Sequence, residues 1–283
     1  MTRQPIVVSH FQVEPLLAAR RRGDKLVLTS LDLGLSQTEV HLEADRVVFP
    51  DGQWLPWATI DEIAANGTAC FLVADNTASK IQAYSEEFGR FYSLMPTATA
   101  PTVLISGILM HRIKRVDPIE DTRWKIRAIA PITDRVLDTA TGLGYTAIAA
   151  AKTADQVVTI ELDPTVQDLA RLNPWSRDLF ENPKIERLYG DAFDVIQNFP
   201  ENAFARIIHD PPTFTLAGHL YSTDFYRRLY RVLKRGGRLF HYIGDPQSPS
   251  GRRTTQGVIR RLQEAGFAQV SSYLPANGVI VRK

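Results

Sequence analysis

Arg135-Val136-Leu137-Asp138-Thr139-Ala140-Thr141-Gly142-Leu143-Gly144 decides the fold. A short apolar run ends in an acid and passes through a glycine-bearing loop. The small-residue segment 146–153, read as a helix, follows it. A strand that meets a helix through such a turn is half of a β/α unit. Glycines here let backbone approach a ligand closely, and the helix start favours a carboxylate or phosphate.

Outward from that stretch the alternation continues. Strands are expected at 135–138, 156–162, 185–189, 205–209 and 238–243. Helices are expected at 146–153, 164–172, 193–198, 222–233 and 254–265. Upstream, Asp117-Pro118-Ile119-Glu120 combines an N-cap acid, proline at N1 and Glu at N3, so a helix should run to about residue 129. Regular alternation of this kind predicts an α/β, doubly wound and mostly parallel sheet. Downstream, residues 268–273 and 279–283 flank Pro275-Ala276-Asn277-Gly278, which reads as a hairpin, so the last strand should be antiparallel.

The first stretch of chain has another texture. Strands are expected at 25–30, 38–42, 70–74, 102–110 and 111–116, with 81–91 ambiguous. Pro50-Asp51-Gly52 should turn a hairpin between 47–49 and 53–57, and 59–65 reads as a short helix. The expected division is a small mostly-β domain over residues 1–116 and a larger α/β domain over 117–283.

Composition bounds the function. The 283 residues are 44% hydrophobic and 23% charged, the values of a globular chain, with Lys+Arg 33 against Asp+Glu 31. The formal charge of +2 excludes strong sequence-independent polyanion binding. One cysteine, Cys70, allows no internal disulfide, and no Cys/His zinc spacing occurs, so no metal is expected. Residues 1–10 lack a signal-peptide core, and the longest apolar stretch, 102–110, is too short for a bilayer. These features read as a cytoplasmic protein with no membrane partner.

In an open α/β sheet, ligands sit beyond the carboxyl ends of the strands. Asp138 ends the first strand, and its loop offers Thr141, Gly142 and Gly144. An acid there can accept from a ligand ammonium. Glu161 ends the second strand, where a carboxylate can accept from two ribose hydroxyls. After the third strand come Asp191, Ala192 and Phe193, suited to an adenine amine and ring. The fourth strand leads into His209-Asp210-Pro211-Pro212-Thr213-Phe214. Singly, each has a bland reading as a cap, surface acid, turn or loop; four in order at successive strand ends form a site. The glycine spacing alone would also suit NAD, and it narrowly misses the strict dinucleotide pattern.

With those motifs in place, residues 135–245 resemble a class I S-adenosylmethionine (SAM) methyltransferase. Ala140 stands where that family's first glycine often does. The stretches 138–147, 173–176, 190–193 and 209–212 resemble an uncharacterised, largely archaeal group of predicted methyltransferases. Residues 220–226 and 233–239, and a small β domain ahead of the catalytic one, resemble spermidine synthases. The resemblance implies SAM as cofactor and a methyl acceptor near Asp210.

Asp210 and the carbonyl of Pro211 are suited to hold an acceptor N–H and aim its lone pair, with His209 as a candidate base. Thr213 departs from the aromatic fourth position of Asp/Asn-Pro-Pro-aromatic amino-methyltransferases, which stack a planar amine. The expected reaction is methyl transfer to nitrogen of a small molecule or another unidentified acceptor. The alternatives are aminopropyl transfer and nucleic-acid methylation, the latter resting on basic residues at 20–22, 227–235, 252–253 and 260–261. A regulatory SAM-binding protein and an NAD oxidoreductase are weaker readings. The β domain can support a homodimer.

Overall fold

The computed structural model describes residues 5–245, 247 and 249–283. The chain divides into two compact units, Met1–Ile119 with Thr165–Arg177, and Glu120–Pro164 with Asp178–Lys283. The sequence reading put a single boundary at 116/117 and did not separate 165–177.

The first unit holds three antiparallel sheets among the described residues. Its expected hairpin pairs Arg46–Val48 with Trp54–Pro56. Two expectations are corrected. Residues 111–116 form no strand; Thr102–Ile105 instead pairs with Ile108–Leu109 through Ser106 and Gly107, both at positive φ. Residues 10–22, assigned no element from sequence, form the helix His10–Arg22. Its apolar stripe is only Val13, Leu16 and Ala19, and Pro15 interrupts the pattern. A Ser9–Gln12 capping box starts it and Gly23 at φ 78° stops it. Arg20, Arg21 and Arg22 occupy its last turn, where cations complement the helix dipole. Trp175 ties the 165–177 segment into this unit by donating to the Leu33 carbonyl at 3.0 Å.

Among the described residues the second unit holds one seven-stranded sheet. Its strands are β1 (Arg135–Asp138), β2 (Gln156–Glu161), β3 (Ile185–Tyr189), β4 (Phe204–His209), β5 (Leu233–Tyr242), β6 (Gln269–Tyr273) and β7 (Gly278–Arg282). Their spatial order is β3-β2-β1-β4-β5-β7-β6. β1 to β5 are parallel, and β7 lies antiparallel between β5 and β6, as the terminal hairpin predicts. The link between them is a short 3-10 turn, Leu274–Ala276, closed by Asn277 at φ 50°. The helices used below are α1 (Pro118–Ala128), α2 (Tyr145–Ala151), α3 (Thr223–Val232) and α4 (Pro249–Glu264).

Register sorts the strand tips onto two faces. Asp138 pairs with Thr159 and with Ile208, and Ile208 with Phe240, so these four share a face. Side chains alternate along a strand, so Leu137, Val158, Ile207 and Leu239 point the other way. There they form one core with Phe225, Leu229 and Val232 of α3 and Val258 and Leu262 of α4. Each fully buried Leu or Phe contributes roughly 1.5–3 kcal/mol. By the same alternation Glu161 and Tyr242 fall on the Asp138 face, while His209 and His241 fall on the α3 face.

Candidate cofactor and acceptor site

The loop after β1 is built by its own polar groups. The Asp138 side chain is fully buried and accepts from Thr146 Oγ1 at 2.8 Å and from the Ala140 N–H at 3.4 Å. Burial pushes its carboxyl up to about 7; the Thr146 bond opposes this and the Asp210 charge adds to it. These two bonds join the loop to the start of α2. Thr141 is held the same way. Its hydroxyl bonds that of Thr159 at 2.7 Å and its N–H donates to the Ile160 carbonyl at 2.9 Å.

Glu161 sits at the tip of β2 and is half-buried. It accepts from the Gly142 N–H at 2.8 Å and from the Asp163 N–H at 3.2 Å. Burial raises its carboxyl to about 7 against those two bonds. Gly142 lies at φ 51°, and a Cβ built there would meet nothing within 4 Å. The space above Gly142 is open and lies beside the half-buried Glu161 carboxylate.

Gly144 is different. At φ 79° it precedes α2, and a Cβ would lie 2.6 Å from Leu179 Cδ2. Gly144→Ala therefore meets both a left-handed backbone and a packed neighbour. It should cost about 2–4 kcal/mol of stability in chemical denaturation. An unchanged midpoint would show that Leu179 and the loop yield freely.

Asp191 caps the short helix Ala192–Val195 by accepting from the Phe193 N–H at 2.8 Å. His219 Nε2 lies 2.9 and 3.2 Å from its two carboxylate oxygens. Ala192 is buried, and the partly buried Phe193 ring carries the Arg228 guanidinium 3.6 Å from its centroid. Asp191 is thus presented at the edge with an imidazole already on it.

His209 and Asp210 part company because they are adjacent on an extended chain. His209, on the α3 face, is fully buried, with Nδ1 2.7 Å from Thr139 Oγ1 and Nε2 3.0 Å from the Leu220 carbonyl. Burial depresses its pKa to about 3, so the ring is neutral near pH 7. With both nitrogens occupied, it acts as a brace between strand and loop, which disfavours a general base. His241 is braced similarly, bonding the Tyr226 hydroxyl at 2.9 Å and the His209 carbonyl at 3.2 Å. Pro211, two residues after His209, is buried, and Tyr221 holds the next residue by donating to the Pro212 carbonyl at 3.0 Å.

Asp210 turns to the opposite side. Its Oδ2 accepts from Lys125 Nζ at 2.6 Å, and the same ammonium lies 2.8 Å from Asp121 Oδ2. Lys125 is 4% exposed and Asp210 20%. Burial raises the Asp210 carboxyl, opposed by Lys125. For Lys125, burial acts downward but the two carboxylates prevail, so it stays charged. Sequence reasoning missed Lys125 and Asp121. Their i,i+4 spacing in α1 was legible, but such pairs are usually solvated.

The basic clusters have internal partners as well. Arg228 donates to the Phe193 carbonyl, Arg231 to those of Phe199 and Ile196, and Arg261 to that of Tyr221. Among the described residues, no group of His, Cys, Asp or Glu could hold a metal ion, and no helix is long and apolar enough to cross a membrane.

Residues 137–241 match the methyltransferase domain family. An uncharacterised protein of Methanocaldococcus jannaschii is 41% identical over 263 residues, covering 91% of this chain and 89% of that protein. A polyamine aminopropyltransferase of Mycobacterium tuberculosis is 32% identical over 120 residues, covering 40% of this chain and only 23% of its own length. A spermidine synthase solved with a transition-state analogue aligns over 73% of this chain and 75% of its own, with a TM-score of 0.58 and 19% identity, which is a likeness of fold. Near-full-length similarity to the archaeal protein, a sheet that ends in an antiparallel hairpin and a row of acids at its carboxyl edge converge. The chain belongs to the family of that archaeal protein, and its residues 137–241 carry a methyltransferase domain.

Proposed function

We propose that the protein transfers a methyl group from SAM to a nitrogen of a small-molecule acceptor. The observation that carries this reading is the edge where Gly142, Glu161, Asp191 and Asp210 stand in strand order. When bound, SAM supplies an electrophilic methyl on a positive sulfur. Glu161 would accept from the ribose hydroxyls, and the backbone at Gly142 leaves room for the sugar. Asp191 would receive the adenine amine, with His219 moving off it. Phe193 and Ala192 would border the ring. Asp138 and Thr141 keep the loop in shape.

At the acceptor end, Asp210 Oδ2 is held by Lys125. Oδ1 is left to accept an N–H from the substrate and so orient its lone pair. The protein's contribution is alignment and exclusion of water. The aminopropyl reading differs in one ligand group, since decarboxylated SAM lacks the carboxylate that the Gly142 loop would receive. Titration calorimetry with the two cofactors separates them. Preference for SAM is expected; preference for the decarboxylated form would replace this reading.

The same titration has a pH signature. Unliganded Glu161 and Asp138, both raised to about 7, are partly protonated at neutral pH. Raised acids stabilise the folded, unliganded protein at low pH and lose that contribution as pH climbs through about 7. A ligand whose hydroxyls need the Glu161 carboxylate drives protons off. SAM affinity should therefore rise with pH through neutrality, by up to about tenfold per unit for each coupled proton. Calorimetry in buffers of different protonation enthalpy measures the release, and zero release would count against Glu161 as the sugar contact.

A further inference from the structure

Asp121 and Asp210 make a seat for a cation. Both carboxylates converge on one point, 2.8 and 2.6 Å from the nitrogen that fills it. The Tyr242 ring closes another side, its centroid 5.2 Å from that nitrogen. Two acids and an aromatic face are the chemistry that recognises an alkyl ammonium. The occupant is the chain's own Lys125, nearly sealed from solvent.

Resting on the methyltransferase reading, we propose that Lys125 is a specificity-determining residue: by filling this seat it confines the acceptor to a neutral N–H nucleophile and turns away diamines and other alkyl ammonium substrates. A free ammonium brought to Asp210 Oδ1 would lie close to the fixed charge of Lys125. Displacing Lys125 would strand a buried cation. An ammonium must also shed a proton before it can attack, and a carboxylate compensated by lysine is a weak base for that purpose. A neutral aromatic amine already carries its lone pair: Asp210 Oδ1 accepts one N–H and aims that pair, the N–CH3 bond forms as the S–CH3 bond breaks, and the more acidic methylated nitrogen then loses its proton.

The test is calorimetric titration of unliganded protein with putrescine. Wild type should show no saturable binding at sub-millimolar concentration. Lys125→Met, which keeps the apolar stem and removes the terminal ammonium from the seat, should bind putrescine at least about tenfold more tightly than wild type. Lys125→Arg keeps a cation in place and should resemble wild type. Putrescine binding by wild type as tight as by Lys125→Met overturns the proposal, as does a folded Lys125→Met that gains nothing. If Lys125→Met does not fold, the wild-type titration decides alone, silence supporting the proposal and sub-millimolar binding overturning it. SAM is titrated separately: failure to bind SAM removes the methyltransferase reading, while the putrescine comparison still judges Lys125.

Discussion

Glu161→Gln is expected to weaken SAM binding by about a hundredfold or more while the protein stays folded. Two hydroxyls accepted by a carboxylate contribute roughly 1.5–3 kcal/mol each, and about 2.7 kcal/mol is a hundredfold in affinity. The amide also has one oxygen where Glu161 uses two, for the N–H groups of Gly142 and Asp163. Its NH2 must face one of those donors, so the loop loosens as well. Removing a carboxylate that burial has raised to about 7 relieves some desolvation above neutral pH, which should keep thermal stability close to wild type. Calorimetry beside circular dichroism separates the two effects. Unaltered affinity in a folded variant would move the sugar away from β2.

The second large effect belongs to Asp210. Asp210→Asn should leave SAM affinity within about threefold, because the proposed cofactor contacts lie at the tips of β1, β2 and β3. Transfer to the acceptor should fall by roughly a hundredfold or more, the usual consequence of losing one oriented polar group at a reacting centre. Lys125 keeps Asp121 as its partner, so the fold should survive at a cost of about 1–3 kcal/mol. Labelled methyl transfer into a small-molecule extract gives the readout. Equal transfer by wild type and variant, with SAM bound by both, would show that Asp210 does not touch the acceptor.

Much of this site is written in single residues at strand ends. Asp138 and Glu161 were locatable because an apolar run that stops at an acid is a local pattern, and Asp191 because Gly190-Asp191 marks the turn after the third strand. The side of the sheet was also latent in the sequence. Asp138 pairs with Ile208, so His209 had to face away from the acids. Reading His209 beside Asp210 as a base overlooked that two-residue period. The helix at His10–Arg22 was missed for a converse reason: Pro15 and three arginines hide a narrow apolar stripe behind a sound capping box.

By itself the sequence determined the parallel β/α frame, its antiparallel close and the acids that edge it. These follow from side-chain periodicity and turn chemistry among near neighbours, which act before any distant contact forms. Only the tertiary structure decided what each acid holds. Lys125 reaches Asp210 from 85 positions away and His219 reaches Asp191 from 28. Such meetings depend on how the helices close over the sheet, and burial there turns an ordinary helix pair into a fixed internal ammonium.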